Sequence, residues 1–203
     1  MKLYFSPGAC SLSPHIVLCE AGLVFETEKV NLSKKITAGG KDYKTINPKG
    51  SVPALQLDDG QILTEGPAIV QYIADLVPEK QLAPVAGSMA RYRLMESLNF
   101  ISSELHKGFS PLFNSEVPEL SKQMARDALA VRFDIVAHQL ESAEYLLGGQ
   151  FTVADAYLFT ILNWTGMLQF DMHRWPVIAT YQARVAARPG VRAAMLAEGL
   201  IKG

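Results

Sequence analysis

The pattern of apolar residues changes near residue 80, and this change restricts the fold more than any other feature of the sequence. Before it, short strand-like runs alternate with helix-like ones, starting with Lys2-Leu3-Tyr4-Phe5 and a helical pattern over residues 16–22. From Gly87 onward only long helical patterns occur. Since strands separated by a helix favour a parallel βαβ unit, the sequence predicts an α/β domain over residues 1–80 and an all-helical domain over residues 87–203.

The composition fits a chain with a sizeable core and argues against several kinds of partner. The chain has 203 residues, of which 49% are hydrophobic and 19% charged, with a formal net charge of −1. No long basic run is present, so nucleic acid is not an expected partner. No apolar run approaches the roughly 18 residues of a membrane span, the first residues are too few for a signal peptide, and two unpaired cysteines suit a reducing compartment. We therefore expect a cytoplasmic protein with no membrane partner.

Cys10 lies between the first predicted strand and the first predicted helix. Pro7-Gly8 predicts a turn, Ser11 a helix N-cap, and Gly22 the helix end. A helix N-terminus favours an anion, and a cysteine thiol of ordinary pKa about 8.5 ionises more readily there. Cys10 is thus a candidate thiolate or thiol-binding residue, although a small buried cysteine beside a turn also fits. Cys19 lies about 13 Å farther along the helix axis, too far to pair with Cys10, and is predicted to be core.

Pro53 and Glu65 define a second candidate ligand-binding region. The runs 52–57 and 61–64 flank an Asp-Gly turn and predict a hairpin with Pro53 at the start of its first strand. From the residues alone, the base rate of X-Pro bonds favours an ordinary trans bond between Val52 and Pro53, although a cis bond is also allowed there. Glu65-Gly66-Pro67 then precedes an amphipathic helix, where the carboxylate suits an ammonium group and Gly66 allows a ligand close to the backbone.

Polar residues interrupt the apolar face of the first long helix, predicted over residues 88–108. Asn99, Ser103 and His106 follow at helical spacing and share one face, which is either the wall of a cleft or a solvated edge. The remaining histidines have no metal-ligand spacing, so no metal site is expected. Phe151-Thr152-Val153-Ala154-Asp155 is a capping-box pattern, and Asp155 is predicted to stabilise the start of its helix rather than to take part in chemistry.

Five motifs together resemble a glutathione transferase of the bacterial beta class, and the match runs along the whole chain. They are Ser6-Pro7-Gly8-Ala9-Cys10-Ser11, Asn47-Pro48-Lys49-Gly50-Ser51-Val52-Pro53-Ala54-Leu55, Leu63-Thr64-Glu65-Gly66-Pro67-Ala68-Ile69, Glu104-Leu105-His106-Lys107-Gly108 and Phe151-Thr152-Val153-Ala154-Asp155-Ala156-Tyr157. The resemblance implies a thioredoxin-like βαβαββα domain, an all-helical domain, usually a homodimer, and a cis Pro53.

The resemblance also assigns residues to roles, with glutathione as co-substrate and no other cofactor. The Val52 backbone pairs with the cysteinyl part of glutathione, and Glu65 and Gly66 hold its γ-glutamyl end. Many transferases have serine at the second of these places, and Gly66 leaves only its backbone N–H. The implied catalytic residues are Cys10 and His106. The implied glutathione-binding residues are Ser11, Lys35, Val52, Pro53, Glu65, Gly66, Asn99, Ser103, Glu104 and Lys107.

The main hypothesis is that the chain conjugates the glutathione thiolate to small, mostly hydrophobic electrophiles, a chemistry of detoxification. Donors at the helix start, together with His106, would stabilise the sulfur anion. A second hypothesis is a glutathione-dependent thiol–disulfide reductase acting through a Cys10 mixed disulfide. A Cys-His hydrolase using Cys10 and His106 and a non-enzymatic ligand carrier or interaction module are the remaining alternatives.

Overall fold

A five-stranded mixed sheet organises the first part of the chain in the computed structural model, which describes residues 1–202. Its spatial order is β3-β2-β1-β4-β5, with β1 and β2 parallel and the other neighbours antiparallel. The strands are β1 (Lys2–Phe5), β2 (Glu26–Asn31), β3 (Ile36–Thr37), β4 (Ala54–Gln56) and β5 (Ile62–Thr64). The parallel β1–helix–β2 unit and the β4–β5 hairpin predicted from the sequence are confirmed.

Two helices pack in the same unit as the sheet and complete the thioredoxin-like fold. They are α1 (Leu12–Ala21) and α2 (Gly66–Leu76), which contact each other. Both helices carry fully buried side chains, Ile16 in α1 and Ile73 in α2 among them. Gly22 ends α1 in the left-handed conformation that the sequence predicted, with a φ of 69°. A buried cluster, against which Ala9 of the Cys10 turn packs, is formed by Tyr4, Val30, Tyr43, Val52 and Ala54.

The rest of the chain is helical up to its last residues, as predicted. The helices are α3 (Met89–Phe100), α4 (Ser110–Phe113), α5 (Glu119–Leu140), α6 (Val153–Met167), α7 (Pro176–Ala186) and α8 (Pro189–Ala197), with short 3₁₀ turns at Tyr43–Thr45, Pro78–Lys80 and Lys107–Phe109. Among residues 1–202, no helix combines the length and apolarity needed to cross a bilayer.

The regular helix predicted over residues 88–108 is wrong in its second half. After Phe100 the backbone turns into a π-helical segment, Ile101–His106, and then a 3₁₀ turn, before α4 begins. π-helical turns are rare and often occur at functional sites. An inserted π turn leaves no mark in apolar periodicity, because it depends on the partners its side chains find on other helices. This segment carries three of the predicted site residues, namely Ser103, Glu104 and His106.

The C-terminal helix belongs to a different compact unit than the sequence analysis expected. Residues 186–202 group with residues 1–83, and residues 84–185 form the second unit. Two charged contacts hold the C-terminal segment to α1: Glu198 hydrogen bonds to His15, and Arg188 pairs with Glu20 at 2.7 Å. The predicted limit 87–203 therefore differs from the observed unit, because partners distant in sequence determine where these last residues pack.

One serine in α1 leads to a stability prediction. Ser13 is fully buried, and within residues 1–202 its hydroxyl has no hydrogen-bond partner. A buried unpaired hydroxyl is destabilising, so Ser13→Ala should raise the free energy of unfolding by about 1 kcal/mol in urea denaturation. The control is Ser11→Ala, which removes a hydroxyl bonded to the Ser6 backbone and should lower stability. Equal losses in both variants would contradict this account.

Candidate functional site

Successive backbone hydrogen bonds and the hydroxyl of Ser11 stabilise the turn that carries Cys10. Ala9 N donates to Ser6 O and Leu12 N to Ala9 O, so the chain enters α1 through consecutive turns. The Ser11 hydroxyl accepts from Ser6 N at 3.1 Å and donates to Ser6 O at 3.2 Å. Ser11 itself has helical dihedral angles and makes no side-chain cap. Ser11 therefore occupies the predicted N-cap position, directly before Leu12, but its hydroxyl closes the turn instead of capping the helix. Cys10 lies two residues before the first residue of α1.

Cys10 faces the chain segment that contains the proline. Its Sγ donates to the carbonyl oxygen of Val52 at 3.1 Å, and its side chain is partly exposed. The Val52-Pro53 peptide bond is cis, as the resemblance implied. Val52 precedes the first residue of β4, Ala54, and so lies outside the strand ladder. A thiol and a backbone segment not paired in the sheet are thus brought together at one edge of the unit.

The loop before Pro53 is held by three side-chain hydrogen bonds to its carbonyl groups. Tyr43 Oη donates to Ser51 O at 2.9 Å, and Asn47 Nδ2 donates to the same oxygen at 2.7 Å. Lys35 Nζ donates to Gly50 O at 2.9 Å. Burial raises the pKa of Tyr43 to about 12, so its hydroxyl stays protonated as a donor. Lys35 thus supports the loop in this structure, and its contact with glutathione remains a prediction.

Glu65 has a backbone conformation that few non-glycine residues adopt. Its φ is 69°, while its carbonyl accepts from Ala68 N and Ile69 N in the first turn of α2. Strained residues of this kind concentrate at ligand sites, where the surrounding structure enforces them. The Glu65 carboxylate is exposed and accepts from Lys49 Nζ at 2.6 Å. Lys49 was not among the predicted site residues, although its position in the turn of the second motif placed it near this strand pair.

The predicted residues of the helical unit do not all behave alike. Ser103 Oγ donates to Asn99 O at 3.0 Å, which confirms that these two are neighbours on the helix. Glu104 is paired with Arg132 of α5 at 3.0 Å, a partner that sequence reasoning missed. Lys107 begins the 3₁₀ turn. Contact with glutathione stays a prediction for the four residues that the resemblance implied here, Asn99, Ser103, Glu104 and Lys107.

His106 is held by two aromatic side chains of α6. Its Nδ1 lies 2.7 Å from Tyr157 Oη, and its ring centroid lies 5.0 Å from that of Trp164 in an edge-on arrangement. Trp164 is buried and also packs edge-on against Phe109 and Phe113. The imidazole is therefore fixed in orientation within the helical unit.

Asp155 and His15 are buried, and their side chains form hydrogen bonds within the fold. Asp155 is fully buried and accepts from Thr152 N at 2.8 Å, so the predicted capping box is confirmed. His15 is buried between Phe5 and Phe25 and hydrogen bonds to Glu198. In the described part of the chain, no group of three or more histidine, cysteine or acidic side chains has the geometry to hold a metal ion.

The surroundings of Cys19 should make its thiol slow to react in the folded protein, which gives a prediction. Burial, with the nearby Glu20 and Glu198 carboxylates, raises the pKa of Cys19 to about 11. Only about one Cys19 thiol in ten thousand is then ionised at neutral pH, against roughly 3% for an ordinary cysteine, and the thiolate is the reactive form. Iodoacetamide should label Cys19 at least about 100-fold more slowly in the native protein than in urea, as followed by peptide mass spectrometry. Similar rates in both states would contradict the assigned environment.

Models of known protein families identify the family to which this chain belongs. The family model described as the N-terminal domain of glutathione S-transferase matches residues 8–76, and the model for the C-terminal domain of the same family matches residues 100–189. The chain belongs to the glutathione S-transferase family. This confirms the family resemblance drawn from the five motifs.

Individual relatives agree with this membership and extend it to bacterial enzymes. The chain is 48% identical over 200 residues to the glutathione S-transferase GstA of Escherichia coli O157:H7, covering 98% of this chain and 100% of that one. Among solved structures, it is 58% identical to BphK, described as a bacterial glutathione transferase in a ternary complex, with a TM-score of 0.97 over 98% of this chain and all of the other. A beta-class enzyme from Sphingomonas chungbukensis is 46% identical, with a TM-score of 0.96 over 99% of this chain and all of the other.

Proposed function

We propose that this protein is a glutathione transferase that joins the thiolate of glutathione to small, mostly hydrophobic electrophiles. The observation that carries the proposal is the juxtaposition of the Cys10 thiol with the Val52 carbonyl, next to cis Pro53, within a chain of this family. Relatives with the same coverage are named glutathione S-transferases. A sphingomonad structure that is 45% identical to this chain is described as a complex with glutathione.

The N-terminal unit offers groups that match the middle and the γ-glutamyl end of glutathione. The backbone of Val52 is not paired with a neighbouring strand of the sheet. It can therefore form backbone hydrogen bonds with the cysteinyl residue of glutathione, which would bind as an extended peptide. Its carbonyl oxygen has two lone pairs, so it can accept from glutathione while Cys10 remains near. The exposed Glu65 carboxylate suits the α-ammonium of the γ-glutamyl residue, and the first backbone N–H groups of α2 suit the neighbouring carboxylate.

The chemical step needs a sulfur anion and little more from the protein. The glutathione S–H bond loses its proton to water or buffer, the sulfur forms a bond to the electrophilic carbon, and a leaving group such as chloride departs with its electron pair. Donors at the start of α1 stabilise the anion before attack. His106 would add a further donor, in keeping with the resemblance. Cys10 then acts through its polar contact with the sulfur rather than as a covalent nucleophile.

The alternative function, a glutathione-dependent disulfide reductase, also depends on the Cys10 thiol. The variant Cys10→Ala distinguishes it from conjugation. With glutathione and chlorodinitrobenzene, the wild type should release the aryl conjugate and chloride, and Cys10→Ala should keep measurable conjugation. With hydroxyethyl disulfide as substrate, Cys10→Ala should lose glutathione-dependent reduction, because no mixed disulfide can form. Complete loss of conjugation in Cys10→Ala with normal glutathione binding would overturn the proposed role of Cys10. No conjugation by the wild type would count against this transferase activity.

We further infer a homodimer working in the cytoplasm. Met89, Tyr92 and Met95 of α3 recur at a spacing of three residues and are largely exposed, a pattern that supports burial against a second copy. Two free cysteines support a reducing compartment. Light scattering coupled to gel filtration should give twice the chain mass of 22.2 kDa, and replacement of Tyr92 by glutamate should shift it toward the monomer.

A further inference from the structure

We propose that Tyr157 is a positioning residue for His106, holding its imidazole as the tautomer that carries hydrogen on Nε2. The inference deepens the proposed function and rests on it only for the role of His106 in conjugation. Tyr157 belongs to the fifth sequence motif, whose other polar members, Thr152 and Asp155, serve the start of α6. The capping box leaves the tyrosine hydroxyl unexplained.

The geometry indicates which group donates. Tyr157 is buried, and its Oη lies 2.7 Å from His106 Nδ1. Hydrogen bonds donated by N–H to oxygen cluster near 2.9–3.0 Å, whereas those donated by O–H are shorter. A phenol is also the more acidic partner of a neutral imidazole. The short distance therefore favours Tyr157 as donor and Nδ1 as acceptor, and in a neutral imidazole the hydrogen then resides on Nε2.

Two further features fix the orientation of the His106 ring relative to Tyr157. Tyr157 and Trp164 are seven residues apart on α6, so both lie on one face of the helix, and both contact the His106 ring edge-on, at 5.9 Å and 5.0 Å between ring centroids. His106 itself is the last residue of the π-helical segment. The ring is thereby confined by two buried neighbours, and the tyrosine hydroxyl selects which nitrogen is protonated.

The consequence for the reaction follows from the tautomer. An imidazole with hydrogen on Nε2 presents a donor on the nitrogen opposite Tyr157, and a donor stabilises a sulfur anion, whereas the other tautomer would present a lone pair there. Tyr157→Phe keeps the ring and removes the hydroxyl. It should lower kcat/KM for chlorodinitrobenzene about 3- to 10-fold, the loss expected for one ordinary hydrogen bond.

A double-mutant cycle tests whether Tyr157 acts through His106. Tyr157→Phe should have an effect of less than about twofold in a His106→Asn background, because the residue on which the hydroxyl acts is gone. The matched control is Tyr181→Phe, which removes a hydroxyl bonded to Asp155 in the same helical unit and does not touch His106. Equal effects of Tyr157→Phe in both backgrounds would overturn the positioning role.

Nitrogen-15 NMR of the histidine side chains gives a readout that needs no turnover. In wild type at a pH where the imidazole is neutral, the His106 Nε2 resonance should show the protonated type and Nδ1 the unprotonated type. In Tyr157→Phe the two should move toward an averaged mixture, and in Tyr181→Phe they should stay as in wild type. A protonated Nδ1 in the wild type would overturn the proposal even if conjugation is observed. The predicted tautomer without conjugation would support the pairing and count against the proposed function alone.

Discussion

Asp155→Ala is expected to cost about 3–5 kcal/mol of folding free energy, the largest loss among the substitutions considered for this chain. The Asp155 side chain is fully buried and accepts from Thr152 N, Leu146 N and Tyr181 Oη, all within 3.0 Å. Burial raises the pKa of the Asp155 carboxyl, and these donors oppose the rise. Its removal leaves several buried donors without a partner, each of which is costly.

The measurement is thermal unfolding followed by circular dichroism, with activity assayed on the folded fraction. For a chain of this length, the loss should lower Tm by roughly 10 °C, and Asp155→Ala should keep normal kcat/KM at temperatures where it is folded. Asp127→Ala is the matched control, since the Asp127 carboxylate is exposed and accepts a hydrogen bond from Gln123 Nε2 on the surface of α5. A near-normal Tm with lost turnover would contradict the structural role and assign Asp155 to the chemistry.

Glu198→Ala is expected to cost about 3 kcal/mol and to weaken glutathione binding as well. The carboxylate of Glu198 is buried at the end of α8, where it accepts from Gly8 N at 2.9 Å and hydrogen bonds to His15 Nδ1 at 2.9 Å. Gly8 has a φ of +70° and lies two residues before Cys10. The substitution therefore loosens the turn that places Cys10 against Val52.

Urea denaturation and glutathione titration together test this double effect. Glu198→Gln retains an acceptor for Gly8 N and should lose less stability and less affinity than the alanine variant. Glu141→Ala is the surface control, because Glu141 is exposed and its carboxylate lies beside the exposed His138. A loss of stability with unchanged glutathione affinity would show that the Cys10 turn holds its shape without the C-terminal segment.

Local chemistry explains what the sequence could predict. The strand–turn–helix around Cys10, the end of α1 at Gly22 and the capping box at Asp155 depend on residues within a few positions of one another, and each is present in the structure. The β4–β5 hairpin follows from an Asp-Gly turn in the same way. Patterns of this range are readable because the backbone conformations they need are set by the residues themselves.

Contacts between distant parts of the chain account for what the sequence missed. Glu198 reaches Gly8 across 190 positions, and no local pattern marks that pairing. The ion pair of Arg132 with Glu104 and the hydrogen bond of Tyr157 with His106 form only when separate helical segments pack together. The cis form of the Val52-Pro53 bond was implied by the family resemblance, whereas the base rate applied to the residues alone favoured trans and was wrong.

Calorimetric titration of the full chain with glutathione measures whether the N-terminal unit binds glutathione through Val52 and Glu65. We expect saturable binding of one glutathione per chain at micromolar to millimolar concentration. Affinity should fall roughly tenfold or more in Glu65→Gln, since a charge-assisted contact to the ammonium is lost, and should be unchanged in Glu141→Gln. Absence of binding by the wild type at millimolar glutathione would contradict the account.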